Sequence, residues 1–180
     1  MIVLIGFMGA GKTTVGRALA GRLGVPFRDS DLVIEERAGR PVSQIFAEDG
    51  EPAFRDLEHK VIADLLDGSD GVLALGGGAV QRADTRSLLS GVPVVYLRVS
   101  HAEAMRRVGG DQGRPMLARP DVARLHAERD PQYAAAATVT IDADASKPEA
   151  IAGDILTWLA GGEGGEGGDG GDGGQPAEPA

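Results

Sequence analysis

The stretch LIGFMGAGKTT, Leu4–Thr14, combines glycines with one lysine and two threonines close to the start of the chain. It contains the spacing G-x-x-x-x-G-K-[ST], which begins at Gly6 and ends at Thr13. The residues before it, Ile2–Ile5, are aliphatic and predict a buried strand, and the residues after it predict a helix. A strand, a glycine-rich turn and a helix in this order are the context in which the spacing forms a phosphate-binding loop.

This loop is expected to hold a nucleoside triphosphate. Its glycines let the backbone curl so that amide hydrogens face inward, and the helix that begins near Gly11 adds the positive end of its dipole. Lys12 is expected to reach the β- and γ-phosphates, and the Thr13 hydroxyl is expected to bind Mg²⁺. The predicted nucleotide-binding residues are Gly9, Ala10, Gly11, Lys12, Thr13 and Thr14. A glycine-rich turn that matches by chance is the alternative, and both flanking patterns argue against it.

Composition predicts one folded domain followed by a tail. The chain has 180 residues, of which 42% are hydrophobic, and residues 1–160 can bury a single core. Residues 161–180 are mostly glycine with scattered acidic residues, and they are predicted to stay disordered because they offer almost no apolar side chains. The tail supplies five negative charges to a net charge of −9, so the remainder carries −4 and does not favour nucleic-acid binding.

The cellular setting follows from what the sequence lacks. Cysteine is absent, which excludes disulfides and thiolate metal sites and fits a reducing compartment. The apolar start is too short to span a membrane and has no basic leader. A cytoplasmic protein without a membrane partner is therefore expected, and a monomer is the simplest expectation for one domain.

Short apolar runs alternate with helix-length segments, which predicts an α/β fold with a mostly parallel sheet covered on both faces. The strand candidates are Ile2–Ile5, Val25–Phe27, Val72–Leu75, Val92–Val99 and Thr138–Ile141. Apolar residues at three- and four-residue spacing predict a helix over Pro52–Leu66, with the proline in its first turn. A last helix is predicted to begin near Pro148 and to end at Gly161.

One region lacks a regular pattern. Gly109–Asp121 reads GGDQGRPMLARPD, with glycines, two prolines and Arg114 near its centre. It is either a plain connector or a lid, over about residues 109–123, that closes over a site.

Two carboxylates follow the second strand candidate in the sequence FRDSD. Open α/β sheets bind ligands at the carboxyl ends of their strands, where Asp29 and Asp31 are predicted to lie. Residues two apart on an extended backbone point the same way. One carboxylate can then serve magnesium, while the other accepts hydrogen bonds from substrate hydroxyls or takes the proton of the attacking one. Alternatively, Asp29, Ser30 and Asp31 cap a helix that begins at Leu32.

The third strand candidate runs into LGGGAV. Gly76, Gly77 and Gly78 allow close backbone approach and offer amide hydrogens to a ligand, whereas a tight turn needs only one or two glycines. A substrate-binding turn is therefore favoured. Arginines bind carboxylates in bidentate fashion and neutralise a transferring phosphoryl group, so arginines around this pocket would suit a kinase with an anionic substrate.

The rest of the chain narrows the class of phosphate-loop protein. It contains no asparagine, so the Asn-Lys-x-Asp element of a guanine-specific switch is missing. A folded part of about 160 residues is small for a motor or a remodelling ATPase. A small-molecule kinase is favoured.

These residues resemble the shikimate kinase family from Ile2 to about Trp158. The resemblance rests on the ordered series GFMGAGKTT, DSD, FRDLE, LGGGAV, RRVGG, RPML and RDPQY. It implies transfer of the γ-phosphate of ATP to the 3-hydroxyl of shikimate, on the pathway to chorismate and the aromatic amino acids. It also implies a P-loop fold of the nucleoside-monophosphate-kinase type, with a five-stranded parallel sheet and a mobile lid.

The resemblance gives individual residues roles on the nucleotide side. Lys12 would bind the phosphates, Thr13 would bind Mg²⁺, and Asp29 would support the metal through water. Arg114 would be the lid arginine that reaches the phosphates on closure, so that it and Lys12 are catalytic. Arg107 would pack against adenine.

On the acceptor side, the resemblance implies that Asp31 holds the shikimate hydroxyls and acts as the base. Arg55 and Arg129 would bind the shikimate carboxylate, and Gly76–Gly78 would complete its site. Glu58 would orient Arg55 from one helical turn away.

Two other functions fit part of the pattern. A gluconate-type kinase shares the phosphate loop and takes a polyhydroxy acid, but the combined DSD, FR and GGG set fits shikimate kinase better. A nucleotide-regulated binding module would leave the paired aspartates and the lid arginine without a role. The chain departs from the resemblance at Ser146, where similar sequences often carry an arginine.

Overall fold

The sheet predicted from the alternating pattern is present in the computed structural model, which describes residues 1–67, 70–108 and 121–162. Five strands pair in parallel, in the spatial order β2-β3-β1-β4-β5. They are β1 (Ile2–Ile5), β2 (Phe27–Asp29), β3 (Val72–Ala74), β4 (Val94–Arg98) and β5 (Val139–Asp142). The prediction of a five-stranded parallel sheet is confirmed.

Helices flank this sheet in the described part of the chain. They are α1 (Lys12–Leu23), α2 (Ser30–Ala38), α3 (Val42–Leu66), α4 (Ala83–Leu88), α5 (His101–Val108), α6 (Val122–Ala136) and α7 (Pro148–Gly162), with a 3₁₀ turn at Ala79–Gln81. Helix α1 packs against α7, and α3 packs against both α2 and α4. None of the described helices is long and apolar enough to cross a membrane.

The central strands carry the core. In β1 and β4, Val3–Ile5 and Val94–Leu97 are buried almost completely. Helices cover both faces of a parallel sheet, so its inner strands read as continuous apolar runs, as they do here. The rings of Tyr96 on β4 and Tyr133 on α6 stack with centroids 5.1 Å apart, which fixes α6 against the sheet.

The loop between β1 and α1 is held tightly by its neighbours. Gly6 has a φ of 148°, and a Cβ there would lie 2.6 Å from the carbonyl oxygen of Leu97. Gly9 has a φ of 79°, and a Cβ there would lie 2.7 Å from the carbonyl oxygen of Ala104. Both positions therefore require glycine for conformation and for space.

The second strand begins two residues later than predicted, at Phe27 rather than Val25. The Val25 amide donates to the Ala20 carbonyl at 3.1 Å and so closes the C-terminal end of α1. Pro26 has no amide hydrogen, but its carbonyl accepts from the Val72 amide at 2.9 Å and starts the pairing with β3.

The helix predicted over Pro52–Leu66 is confirmed as the second segment of α3. Gly50, with φ 82° and ψ 166°, interrupts α3, so Pro52 lies in the first turn after the break. Helix α7 ends at Gly162, one residue past its predicted end. Residues 109–120 of the predicted lid lie outside the described residues, and α6 begins at Val122, within its predicted bounds. The first two residues of the predicted disordered tail, 161 and 162, are helical, and the rest of the tail lies outside the described residues.

Candidate phosphotransfer site

Three loops meet at the carboxyl edge of the sheet. They follow β1, β3 and β2, which are neighbours in the sheet. Parallel strands place their carboxyl ends at one edge, where open α/β sheets bind ligands. The phosphate loop, the paired aspartates and the three glycines are therefore gathered on one side of the molecule.

The phosphate loop presents Lys12 and Thr13 at the start of α1. The Lys12 ammonium donates to the carbonyl oxygens of Gly6 at 2.8 Å and Phe7 at 3.1 Å, so it lies across the loop's own backbone. Gly11 occupies the N-cap of α1, and a glycine has no side chain that could compete for the first amides of the helix. These amides and the helix dipole favour an anion.

Asp29 caps α2 and also contacts the phosphate loop. It is the N-cap of α2, where Oδ1 accepts from the Asp31 amide at 3.1 Å. Its Oδ2 accepts from the Thr13 hydroxyl at 2.9 Å. The helix cap and the link to the phosphate loop therefore use different oxygens of one carboxylate.

The predicted extended DSD segment is wrong, because the chain is helical from Ser30 onward and Asp31 lies in the first turn of α2. The physical reason is the cap formed by Asp29, together with the burial of Ser30. The Ser30 hydroxyl accepts from the Gly76 amide at 3.0 Å, and the residue is fully buried. This bond ties the start of α2 to the glycine turn, a contact that the DSD motif does not predict.

The glycine turn makes room for charged side chains. A Cβ at Gly76 would lie 2.5 Å from Asp31 Oδ1 and 2.8 Å from Glu58 Oε1. A Cβ at Gly78 would lie 2.5 Å from the Arg55 Cζ atom. The space that a Cβ would need at these two positions is filled by other side chains of the protein. Packing therefore requires glycine here, whether or not a ligand binds.

Arg55 is held from several sides. Its Nη1 donates to Glu58 Oε2 at 2.6 Å, and its Nη2 donates to the exposed Glu51 at 3.2 Å. Its guanidinium lies 5.7 Å from the centroid of Phe46 and 5.2 Å from that of Phe54, within the range of cation–π attraction. Burial lowers the pKa of Arg55, but the two glutamates outweigh it and raise the pKa overall. Arg55 is a fixed cation.

Arg129 approaches the same turn from α6. It is buried, and its Nη1 donates to the Gly77 carbonyl at 3.3 Å. With the Gln81 amide turned so that its oxygen faces the guanidinium, Gln81 accepts from Nη2 of Arg129 at 2.6 Å. Burial lowers the pKa of Arg129, and the nearby Arg55 adds to this effect. Two guanidinium groups therefore share one partly desolvated pocket, which favours an anion.

Tyr133 supports the turn from the same helix. Its hydroxyl donates to the Gly77 carbonyl. Burial raises the pKa of Tyr133 to about 12, so it remains a neutral donor.

Arg107 on α5 connects the phosphate loop to the segment after β5. Its Nη1 donates to the Gly9 carbonyl at 3.3 Å, and its Nη2 donates to the carbonyls of Ala143 at 2.5 Å and Asp144 at 3.0 Å. Beside it lies a cavity of about 200 Å³, lined also by the start of α1 and by Ser146. This places Arg107 where a nucleotide base could pack near the phosphate loop.

The structure brings the predicted residues together in two groups. Lys12, Thr13, Asp29 and Arg107 surround the phosphate loop, and Asp31, Arg55, Gly76–Gly78 and Arg129 surround the glycine turn. Arg114 lies outside the described residues. Sequence reasoning did not identify Gln81, which contacts Arg129, or Phe46 and Phe54, which pack against Arg55 within α3. It named Ser30 only as a possible cap residue and missed its contact with Gly76.

A phosphate loop at the edge of a parallel sheet, beside a carboxylate and two arginines, defines a P-loop small-molecule kinase. A family model described as shikimate kinase matches residues 8–160. The shikimate kinase of Thermobifida fusca (strain YX) is 54% identical over 152 residues, which cover 83% of this chain and 88% of that protein. The shikimate kinase of Mycobacterium avium (strain 104) is 49% identical over 161 residues, or 87% of this chain and 92% of that protein. The chain belongs to the shikimate kinase family.

A solved structure agrees with this assignment. Shikimate kinase from Acinetobacter baumannii in complex with shikimate superposes with a TM-score of 0.85 at 37% identity, over 90% of this chain and 93% of that one. The likeness spans nearly the whole chain, so the family's fold applies to the described core.

Proposed function

We propose that the chain is a shikimate kinase that transfers the γ-phosphate of ATP to the 3-hydroxyl of shikimate. The observation that carries the proposal is the position of Arg55 and Arg129 around the glycine turn, next to Asp31. Two cations can bind the carboxylate of the acid, while one carboxylate accepts hydrogen bonds from its hydroxyls. The family match and the shikimate complex of the relative support the choice of acid.

The residues at the phosphate loop fit ATP and Mg²⁺. Glycine amides and the Lys12 ammonium suit phosphate oxygens. The Thr13 hydroxyl and the Asp29 carboxylate lie 2.9 Å apart and offer the hard oxygen donors that Mg²⁺ prefers. Thr13 would ligate the ion directly, and Asp29 would support it through water. When bound, Mg²⁺ would neutralise negative charge on the β- and γ-phosphates.

In the proposed reaction, the 3-hydroxyl oxygen forms a bond to the γ-phosphorus while the bond to the β-phosphate oxygen breaks. Asp31 accepts the hydroxyl proton, and ADP leaves. Lys12 stabilises the charge that develops on the moving phosphoryl group, and Arg114 would add to this from the lid. Most of the catalysis is positioning, because Arg55 and Arg129 fix the acid so that its hydroxyl faces the phosphate.

We extend the proposal to the remaining expectations. Residues 1–160 would act as one catalytic domain, Arg107 would contact adenine, and the chain would work as a cytoplasmic monomer without nucleic-acid or membrane partners.

The acceptor is tested by measuring ADP release from ATP and Mg²⁺ with shikimate, gluconate or a nucleoside monophosphate. Shikimate is expected to give the highest kcat/KM, and mass spectrometry should detect shikimate 3-phosphate. A preference for gluconate would favour the gluconate-type kinase instead. Nucleotide binding without turnover on any acceptor would favour the binding module.

Arg55→Ala is expected to weaken shikimate binding by about 1.5–3 kcal/mol, because a charged hydrogen bond to the carboxylate is lost. The KM for shikimate should rise accordingly, while the KM for ATP should change little. Arg37→Ala is the matched control, since Arg37 pairs with Asp64 at the surface and its side chain is 45% exposed. An unchanged shikimate dependence in Arg55→Ala would remove Arg55 from the acceptor site.

Gly76→Ala is expected to lower kcat/KM for shikimate by about 10- to 100-fold, because a small displacement of reacting groups has a large effect on rate. The added methyl group would lie 2.5 Å from Asp31 Oδ1 and force that carboxylate to move. Gly21→Ala on α1 is the control, since its Cβ would meet nothing within 4 Å. Steady-state kinetics should show this loss, and circular dichroism should show that the Gly76→Ala variant is folded. Normal activity would mean that Asp31 need not occupy this position.

A further inference from the structure

Glu58 is a buried carboxyl group that the proposed reaction does not use directly. It lies on α3 with 2% of its surface exposed. Its Oε2 accepts from Arg55 Nη1 at 2.6 Å, whereas its buried Oε1 has no hydrogen-bond partner among the described residues. A buried ionised oxygen without a donor is costly, and a proton on that oxygen removes the charge.

The charged groups around Glu58 shift its pKa in opposite directions. Asp31 lies on α2, and its carboxylate and that of Glu58 both lie beside Gly76. A Cβ placed at Gly76 would be 2.5 Å from Asp31 Oδ1 and 2.8 Å from Glu58 Oε1. Arg55 lies on the same helix as Glu58, and Arg129 and Tyr133 face it from α6. Burial, reinforced by the charge of Asp31, raises the pKa of Glu58 to about 7 although both arginines lower it.

A bound acid would change this balance. Its carboxylate adds a negative charge beside Arg55 and Arg129, so that two guanidinium groups would face the carboxylates of Asp31, Glu58 and the acid, in addition to the exposed Glu51. Glu58 and the acid would then compete for the guanidinium of Arg55. A proton on Glu58 removes its negative charge, so that Arg55 can bind the acid more strongly and the repulsion between Glu58 and Asp31 disappears.

We infer that Glu58 is a proton-linked positioning residue: its ionised form is the counterion of Arg55 in the empty site, and it takes up a proton when the acid binds. The inference rests on the proposed function, because it requires an anionic acceptor at the two arginines. In the bound state the Glu58 Oε2 still accepts from Arg55, and the proton resides on Oε1.

Two measurable consequences follow. Burial raises the pKa of Glu58 to about 7, so the ionised form is present in the empty site near pH 7, and binding of shikimate takes up a fraction of a proton at this pH. As pH rises from 6 to 8, ionisation of Glu58 in the free protein competes increasingly with binding. The Kd for shikimate should therefore rise by about tenfold over this range.

The test is calorimetric titration of the full chain with shikimate at pH 7, in buffers that differ in ionisation enthalpy. Wild type should take up a proton on binding. Glu58→Gln keeps the oxygen that accepts from Arg55 but cannot titrate, so it should bind shikimate without uptake and with the same Kd at pH 6 and pH 8. Glu51→Gln is the matched control, since Glu51 pairs with the same guanidinium at the surface, and it should keep the uptake.

The outcomes separate the inference from the proposed function. Absence of shikimate binding in wild type would contradict the proposed function itself. Binding without proton uptake in wild type, or equal uptake in Glu58→Gln, would overturn the role of Glu58. If Glu58→Gln does not fold, infrared difference spectra of wild type provide the test. When shikimate is added at pH 7, the carbonyl band of a protonated carboxyl group should grow. If this band does not grow, the inference is overturned.

Discussion

Asp31→Asn should lower kcat for shikimate by about 10²–10⁴-fold, the range that a positioned general base contributes. Asparagine has nearly the same size as aspartate, so the packing beside Gly76 is retained. Its amide cannot take the hydroxyl proton. The Kd for ATP should stay nearly unchanged, because it is Asp29 that accepts the hydrogen bond from Thr13 of the phosphate loop. Steady-state kinetics and nucleotide titration measure the two effects separately.

Glu36→Gln is the control for this substitution. It makes the same change from carboxylate to amide on α2, at an exposed position, and should leave turnover unchanged. Near-normal turnover in Asp31→Asn would show that the proton leaves by another route, and the assigned base would be wrong.

Lys12→Met should lower kcat by about 10²–10³-fold, as removal of one preorganised donor to a developing charge does. Methionine retains most of the length of the side chain without the ammonium group. The variant also loses the hydrogen bonds to the carbonyls of Gly6 and Phe7, so the loop should bind ATP more weakly as well. Single-turnover measurements at saturating ATP isolate the loss in the transfer step.

Lys60→Met provides the comparison, because Lys60 is exposed on α3 and away from the loop. It should behave as wild type. If Lys12→Met transferred phosphate at the wild-type rate, the loop at the end of β1 would not be the site of the triphosphate.

Much of the fold could be predicted because its signals are local. The aliphatic run of β1, the glycine spacing and the periodic stripe of α3 each lie within a short window. Strand β2 gave the weakest signal, because its three residues are only partly buried and lie at the edge of the sheet. Its limits depend on Val25 and Pro26, whose hydrogen bonds reach α1 and β3.

The site divides in the same way. Lys12, Thr13 and the paired aspartates could be predicted as site residues because short motifs fix their spacing and their chemistry. The contact of Ser30 with Gly76 could not be predicted, since the two residues lie 46 positions apart. The sequence predicted that the glycines of this turn leave room for a ligand. The structure shows that they also leave room for the side chains of Asp31, Arg55 and Glu58. Contacts between distant segments carry no local pattern.

In the proposed complex the acid lies between Asp31 and the two arginines, within reach of the phosphate loop. A crystal structure of the chain with shikimate and ADP would show where the acid binds. The carboxylate is expected on Arg55 and Arg129, and the 3-hydroxyl is expected within hydrogen-bond distance of Asp31 and facing the loop. Shikimate bound elsewhere, or with its carboxylate turned away from both arginines, would contradict it.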